Sequence, residues 1–182
     1  SKFDDWRGGR RFHADDYLQY LPASCRLGLG PVGVPGRHPF RERVAAQATS
    51  WMAMAVMVNV TKHTMRELRP DGSAHNSFPS GHTATTFMGA ELVREEYGNA
   101  WGAGAYVFAG GIAFLRLYND RHWVNDVLSG AGVGILSARI GYWLLPVERR
   151  LFRWDRQRVT AVMLPSYNPS TRTLSFNLAT AF

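Results

Sequence analysis

The sequence predicts an all-α protein, a helical bundle with a β-hairpin-like tail. Three observations support this. Long segments without proline alternate with short polar loops that contain it. Their apolar residues recur at helical spacing rather than in strict alternation. Only the last part of the chain, RQRVTAVMLPSYNPSTRTLSFNLATAF, shows β-prone runs flanking a turn-like SYNPST, with Leu174, Phe176 and Leu178 alternating with polar residues. The chain divides into a polar N-terminal segment at 1–37 packing on the bundle, a helical core at 38–146, and a basic segment with the tail at 147–182. Together these make one domain.

The polar, Gly- and Pro-rich start carries one short apolar piece, DDYLQYLPASCRLGLG. From Phe40 to Leu68 the pattern is helical, and Pro70 is the expected stop. PDGSAHNSF, 70–78, reads as a loop. A second helix is expected from Ser80 to Tyr97, closed by Gly98. The residue before Pro79 is driven toward extended geometry, and Ser80 is a good N-cap. A third helix is expected over 100–117 and a fourth from His122 to Leu145, ahead of Pro146. Gly102, Gly104, Gly110, Gly111, Gly130, Gly132, Gly134 and Gly141 cost helix propensity, and close approach of neighbouring backbones is the expected return. The tail hairpin is expected to cover the bundle.

The 182 residues suffice to bury a sizeable core. Lysine and arginine number 21 against 14 acidic residues, a formal charge of +7, which suits an anionic partner. Cys25 is alone, which excludes an internal disulfide and a cysteine-rich metal cluster. The opening SKFDDWRGGRR is not a signal peptide. Two stretches, 44–60 and 100–115, approach membrane-span length, but the first carries polar residues and both fall short of about 18–20 apolar residues. Buried helices of a soluble bundle are therefore expected. The basic stretch ERRLFRWDRQR, 148–158, fits an anionic membrane surface and a solvated helix equally well, so peripheral membrane contact stays open.

Three clusters sit at expected helix ends. KHTMRELRP, 62–70, spaces Lys62 and Arg69 by two helical turns, on one face, with Arg66 flanking. FPSGHT, 78–83, is a helix start whose free N–H groups attract anions, with Gly81 admitting a ligand close to the backbone and His82 in the first turn. RLYNDRHWVND, 116–126, brings Arg116, His122 and Asp126, the last two at i, i+4, so that the carboxylate can reach one imidazole nitrogen and leave the other free. Each cluster alone has a bland explanation as a solvated helix end, a capped helix or a surface pair. A metal is the weaker reading of the whole, because Lys62, Arg69 and Arg116 would repel a cation and no third ligand is evident. Fixed cations beside helix-start N–H groups suit an anion.

In this order and spacing the clusters resemble the type 2 phosphatidic acid phosphatase family, which shares its fold with vanadium haloperoxidases and glucose-6-phosphatase. Leu115 stands where that family has a serine, and the usual strongly hydrophobic spans ahead of the first motif are missing. The resemblance implies a helical bundle of the acid phosphatase/vanadium haloperoxidase type and a phosphatase acting on phosphate monoesters or pyrophosphates, lipid phosphates among them. It makes His122 the nucleophile, Asp126 its orienting carboxylate and His82 the acid and base. Lys62, Arg69, Ser80, Gly81 and Arg116 would bind the phosphate. No metal or other cofactor is implied, and vanadate would inhibit. The alternative is a vanadate-dependent haloperoxidase, with vanadate as cofactor. The expected partner is a phosphorylated small molecule or lipid, not nucleic acid, in the periplasm or cell envelope. His75, between two motifs, reads as a plain loop histidine.

Overall fold

The computed structural model describes residues 15–30, 32–70, 72, 74–119, 121–154, 160–168 and 173–181. The elements are α1 (Asp15–Leu18), α2 (Leu21–Leu29), α3 (Phe40–Met65), α4 (Gly81–Tyr97), α5 (Asn99–Tyr118), α6 (Val124–Leu151), β1 (Thr160–Asn168) and β2 (Thr173–Ala181). The chain forms two compact units that divide between Pro146 and Val147. In the second, β1 and β2 pair antiparallel, from Thr160 opposite Ala181 to Asn168 opposite Thr173. This is the hairpin that alternation predicts; its turn, 169–172, lies outside the described residues.

In the first unit α4 is the central helix. It is buried on most of its circumference, from Thr83 through Ala84, Met88 and Leu92 to Glu96. The core joins Met54 of α3, Ala84, Met88 and Leu92 of α4, and Ala138 of α6. Truncating Met88 or Leu92, both fully enclosed, would cost about 2–5 kcal/mol through lost transfer energy and a residual cavity. Each surrounding helix turns a narrow stripe inward at three- and four-residue spacing: Arg43, Ala46, Ser50 and Met54 in α3; Gly102, Ala109, Ile112 and Arg116 in α5; Val127, Gly130, Gly134, Ser137, Ala138 and Gly141 in α6.

The approach of α6 to α4 explains two glycines. A Cβ at Gly134 would stand 2.3 Å from the Ala84 carbonyl oxygen, and one at Gly130 would stand 2.5 Å from that of Ser80. The expectation of close approach fails at Gly104, Gly110, Gly111 and Gly132, where no described atom lies within 4 Å of an added Cβ.

The expectation that 100–115 forms a buried helix fails as well. α5 and α6 are long and apolar enough to cross a membrane, yet only 28% and 33% of their most apolar windows are buried. Val107 and Phe114 on α5 and Leu128 and Trp143 on α6 face outward, as do Met52, Val56 and Val60 on α3. Narrow inner stripes of small residues leave the large side chains outside. That is the arrangement of helices whose surroundings are themselves apolar, and it fits membrane association.

Three expected boundaries move. α3 stops at Met65, before Pro70, because Arg66 takes the left-handed conformation (φ 45°) and its N–H caps the Lys62 carbonyl at 3.4 Å. α6 starts at Val124, two residues after His122, and continues through Pro146 to Leu151.

Candidate active site

The site lies where the C-terminal ends of α3 and α5 meet the N-terminal ends of α4 and α6. Ser80 precedes α4 in extended geometry, with its hydroxyl oxygen accepting from the Thr83 N–H at 3.5 Å and the Thr83 hydroxyl at 3.0 Å. Its N–H donates to the Asp126 carbonyl at 3.0 Å, which ties the start of α4 to the first turn of α6. Ser80 is buried, and its hydroxyl proton is what it can offer a ligand. Gly81 opens the helix. No described atom lies within 4 Å of where its Cβ would stand, so a ligand has access to the backbone there. His82 follows in the first turn, half-buried, with its carbonyl accepting from the Thr86 hydroxyl at 2.7 Å.

Asp126 is wholly buried in the first turn of α6. Its Oδ2 accepts from the Trp123 N–H at 2.9 Å, the return half of a capping box, and from the Ser77 hydroxyl. The same oxygen lies 3.4 Å from His122 Nδ1. The two groups are brought together without the expected helix, since His122 sits in the turn ahead of α6, but no hydrogen bond closes between Nδ1 and the carboxylate. A proton on Nδ1, facing the carboxylate, leaves the Nε2 lone pair available.

Lys62 and Arg69 also come together in an unexpected way. Arg69 is not on the helix. Beyond Arg66 the chain turns back, held by N–H donation from Arg69 to the Ala74 carbonyl at 3.0 Å and from Ser77 to the Glu67 carbonyl at 2.9 Å. The Trp123 indole N–H donates to the Leu68 carbonyl at 3.0 Å, which fastens this loop to the turn that carries His122.

The electrostatics show the convergence. Burial, then Arg69 and Arg116, hold the Lys62 ammonium below the usual lysine range, with Asp126 acting the other way. Burial, then Arg116 and Arg69, bring His122 down to about 4, with Asp126 opposing and Lys62 adding to the depression. Three cations and a histidine therefore share one locality, and the ring is neutral near pH 7. Its contact with Asp126 is one between a neutral imidazole and a carboxylate. Among the described residues no three His, Cys, Asp or Glu side chains converge as a metal site would require. Sequence reasoning missed Ser77 and the Trp123 N–H, the two donors that aim Asp126. Nothing in their spacing marks them.

A pocket of fixed cations around a neutral histidine and the start of a helix, within a bundle of this form, defines a class. The PAP2 superfamily model matches residues 44–150, and the chain belongs to that family. Over 143 residues, 75% of this chain, it is 39% identical to the lipid A 1-phosphatase of Porphyromonas gingivalis, of which the match covers 32%. Over 129 residues, 67% of this chain, it is 28% identical to the bacitracin transport permease protein BcrC of Bacillus licheniformis, of which 58% is covered. The chain thus spans about a third of the first relative and somewhat over half of the second. The crystal structure of Aquifex aeolicus LpxE superposes with a TM-score of 0.58 at 23% identity, covering 78% of this chain and 92% of that one, which establishes the fold.

Proposed function

We propose that this protein is a metal-independent phosphatase that hydrolyses a lipid phosphate, a monoester or pyrophosphate, through a phosphohistidine. The observation that carries the reading is His122 with Nδ1 3.4 Å from a buried Asp126, in a locality where Lys62, Arg69 and Arg116 disfavour its protonated form. A free imidazole nitrogen is a nucleophile only when unprotonated. Cations around it favour a bound phosphate dianion and then balance the charge that spreads over the equatorial oxygens. The lipid character of the substrate draws support from the P. gingivalis relative, whose name specifies lipid A, and from the outward apolar faces of α5 and α6. Placement at the periplasmic face of an envelope membrane belongs to the same proposal.

In the first step Nε2 of His122 attacks phosphorus in line, and the bond to the leaving oxygen breaks. His82 gives that oxygen its proton. Asp126 stabilises the imidazolium that forms. Lys62, Arg69, Arg116, the Ser80 hydroxyl and the Gly81 N–H hold the phosphoryl oxygens. In the second step His82 takes a proton from water, whose oxygen attacks phosphorus and breaks the P–N bond. Inorganic phosphate leaves, and His122 and His82 return to their starting states.

Hydrolysis of phosphatidic acid in detergent micelles, with excess chelator and with added orthovanadate, tests the reading. Activity should survive the chelator and be inhibited by vanadate, which resembles five-coordinate phosphorus. Loss in chelator with recovery on adding zinc or magnesium contradicts the metal-free mechanism. Peroxide-dependent bromination after vanadate loading, without phosphatase activity, would assign the pocket to haloperoxidase chemistry instead.

A further inference from the structure

Beside the phosphate pocket lies a second, open basin of about 610 Å³, lined by Asn59, Lys62, His63, Arg66, His75 and Asn76. Its walls are the last two turns of α3 and the loop that carries Arg69. Lys62 belongs to both sites: it lines the basin, and its ammonium feels Arg69 and Arg116. The proposed mechanism uses none of the other five residues.

Their chemistry is one-sided. Arg66 and the two imidazoles can each bring positive charge or N–H donors, the two amides bring donors and acceptors, and no carboxylate is among the described lining residues. His63 Nδ1 is 2.8 Å from the Asn59 carbonyl and donates to it, so Nε2 is not used by that bond. The left-handed turn at Arg66 (φ 45°) takes the chain off the helix axis there. Four residues of α-helix rise about 6 Å, so Arg66 stands roughly that far along the axis from Lys62. With backbones that far apart, the two head groups can hold separate anions. A solvated helix end explains a lone lysine or arginine; it does not explain a concave basin of donors that shares Lys62 with the phosphate site.

We propose that this basin is a specificity subsite for a second anionic group, a phosphate or carboxylate, carried on the same headgroup as the phosphate that is cleaved. The inference rests on the phosphatase reading and deepens it. Substrates with one phosphate and no distal anion would use the catalytic pocket alone. Doubly anionic headgroups would gain binding from Arg66 and His75 before any chemistry occurs, so the gain falls mainly on KM.

The test compares p-nitrophenyl phosphate, glucose 1-phosphate and glucose 1,6-bisphosphate on the full chain in detergent, for wild type, Arg66→Asn and His75→Gln. Asparagine tolerates the left-handed conformation, which keeps the turn while removing the charge. The wild type should prefer the bisphosphate over the monophosphate in kcat/KM by tenfold or more. Arg66→Asn should abolish most of that preference by raising KM for the bisphosphate, and His75→Gln should reduce it by a smaller factor. Both variants should keep p-nitrophenyl phosphate hydrolysis within about twofold of wild type. Arg66→Lys should restore part of the preference. A wild type that cleaves p-nitrophenyl phosphate yet shows no preference for the bisphosphate overturns the subsite and leaves the phosphatase reading standing. Equal loss on all three substrates in Arg66→Asn also overturns it, since that is the mark of a structural turn. A wild type inactive on every phosphate ester overturns the phosphatase reading, and the subsite with it.

Discussion

Toward the C-terminal end of α4, arginines meet carboxylates within the helix and across its interfaces. Arg94 Nε lies 2.7 Å from Glu91, Arg139 bridges Glu91 at 2.6 Å and Glu95 at 2.8 Å, and Arg26 lies 3.6 Å from a fully buried Glu96. Glu96 also accepts from the His38 N–H at 2.7 Å and the Tyr142 hydroxyl at 3.0 Å. About 22 Å away, at the N-terminal end, Lys62, Arg69 and Arg116 crowd one another and His122. The carboxylate that bears on them, Asp126, is engaged by Ser77, Trp123 and His122. Charges of the first kind are neutralised in place and serve to hold helices together. Those of the second kind disfavour the protonated forms of Lys62 and His122, a cost that a phosphate anion would offset. On the proposed reading, position along one helix separates cations that serve the fold from cations that serve a ligand.

The contrast can be broken first at the settled end. Glu96→Ala leaves the Arg26 charge enclosed without its carboxylate, and removing one partner of a buried pair costs about 3–5 kcal/mol. Thermal unfolding in detergent should show a large fall in Tm, with the activity of the remaining folded enzyme close to wild type. A loss of turnover at unchanged Tm would mean that this end is not merely structural. At the other end the expectation reverses. Arg69→Ala and Arg116→Ala should each lower kcat/KM for p-nitrophenyl phosphate by about a hundredfold or more, roughly 2.7 kcal/mol in transition-state terms, with little change in Tm. Arg66→Ala should stay within a few-fold on that substrate, because Arg66 lies on the basin and not in the phosphate pocket. Similar damage from all three would remove the distinction between them.

A smaller effect sharpens the electrostatic side. Nearby cations disfavour the protonated ring, so Arg116→Gln should raise the pKa of His122 from about 4 toward its ordinary value. Activity requires the neutral ring and is lost as pH falls through that pKa. The acid limb of the kcat/KM profile should thus move to higher pH in the variant. A limb that stays in place would show that Arg116 does not help set the pKa.

Much of the site was legible because its residues are bound to local signals. Pro79 and Ser80 announce the start of α4, and His122 and Asp126 show their pairing by spacing. The route by which they meet was less so. Lys62 and Arg69 suggest a shared helix face by their seven-residue interval, but Arg66 leaves the helix first, and a left-handed turn at an arginine has no sequence signal. Pro146 reads as a terminator although α6 runs through it. Proline removes one hydrogen bond, and the turns on either side carry the helix past it. The outward apolar faces were misjudged for a related reason. Counting uninterrupted apolar residues registers the small and polar residues of the inner stripe as breaks, whereas in α5 and α6 they are the packing surface.

The central claim is that His122 carries the phosphoryl group and His82 manages its protons. Rapid-quench trapping with a radiolabelled phosphate ester tests this directly, in wild type, His82→Ala and His122→Ala. General acid and base help is worth about a hundred- to ten-thousandfold, so losing His82 should slow breakdown of the intermediate more than its formation when the leaving group is p-nitrophenolate. The account predicts acid-labile, base-stable phosphoenzyme that accumulates in His82→Ala and is missing in His122→Ala. Labelled phosphoenzyme in the His122 variant would contradict it.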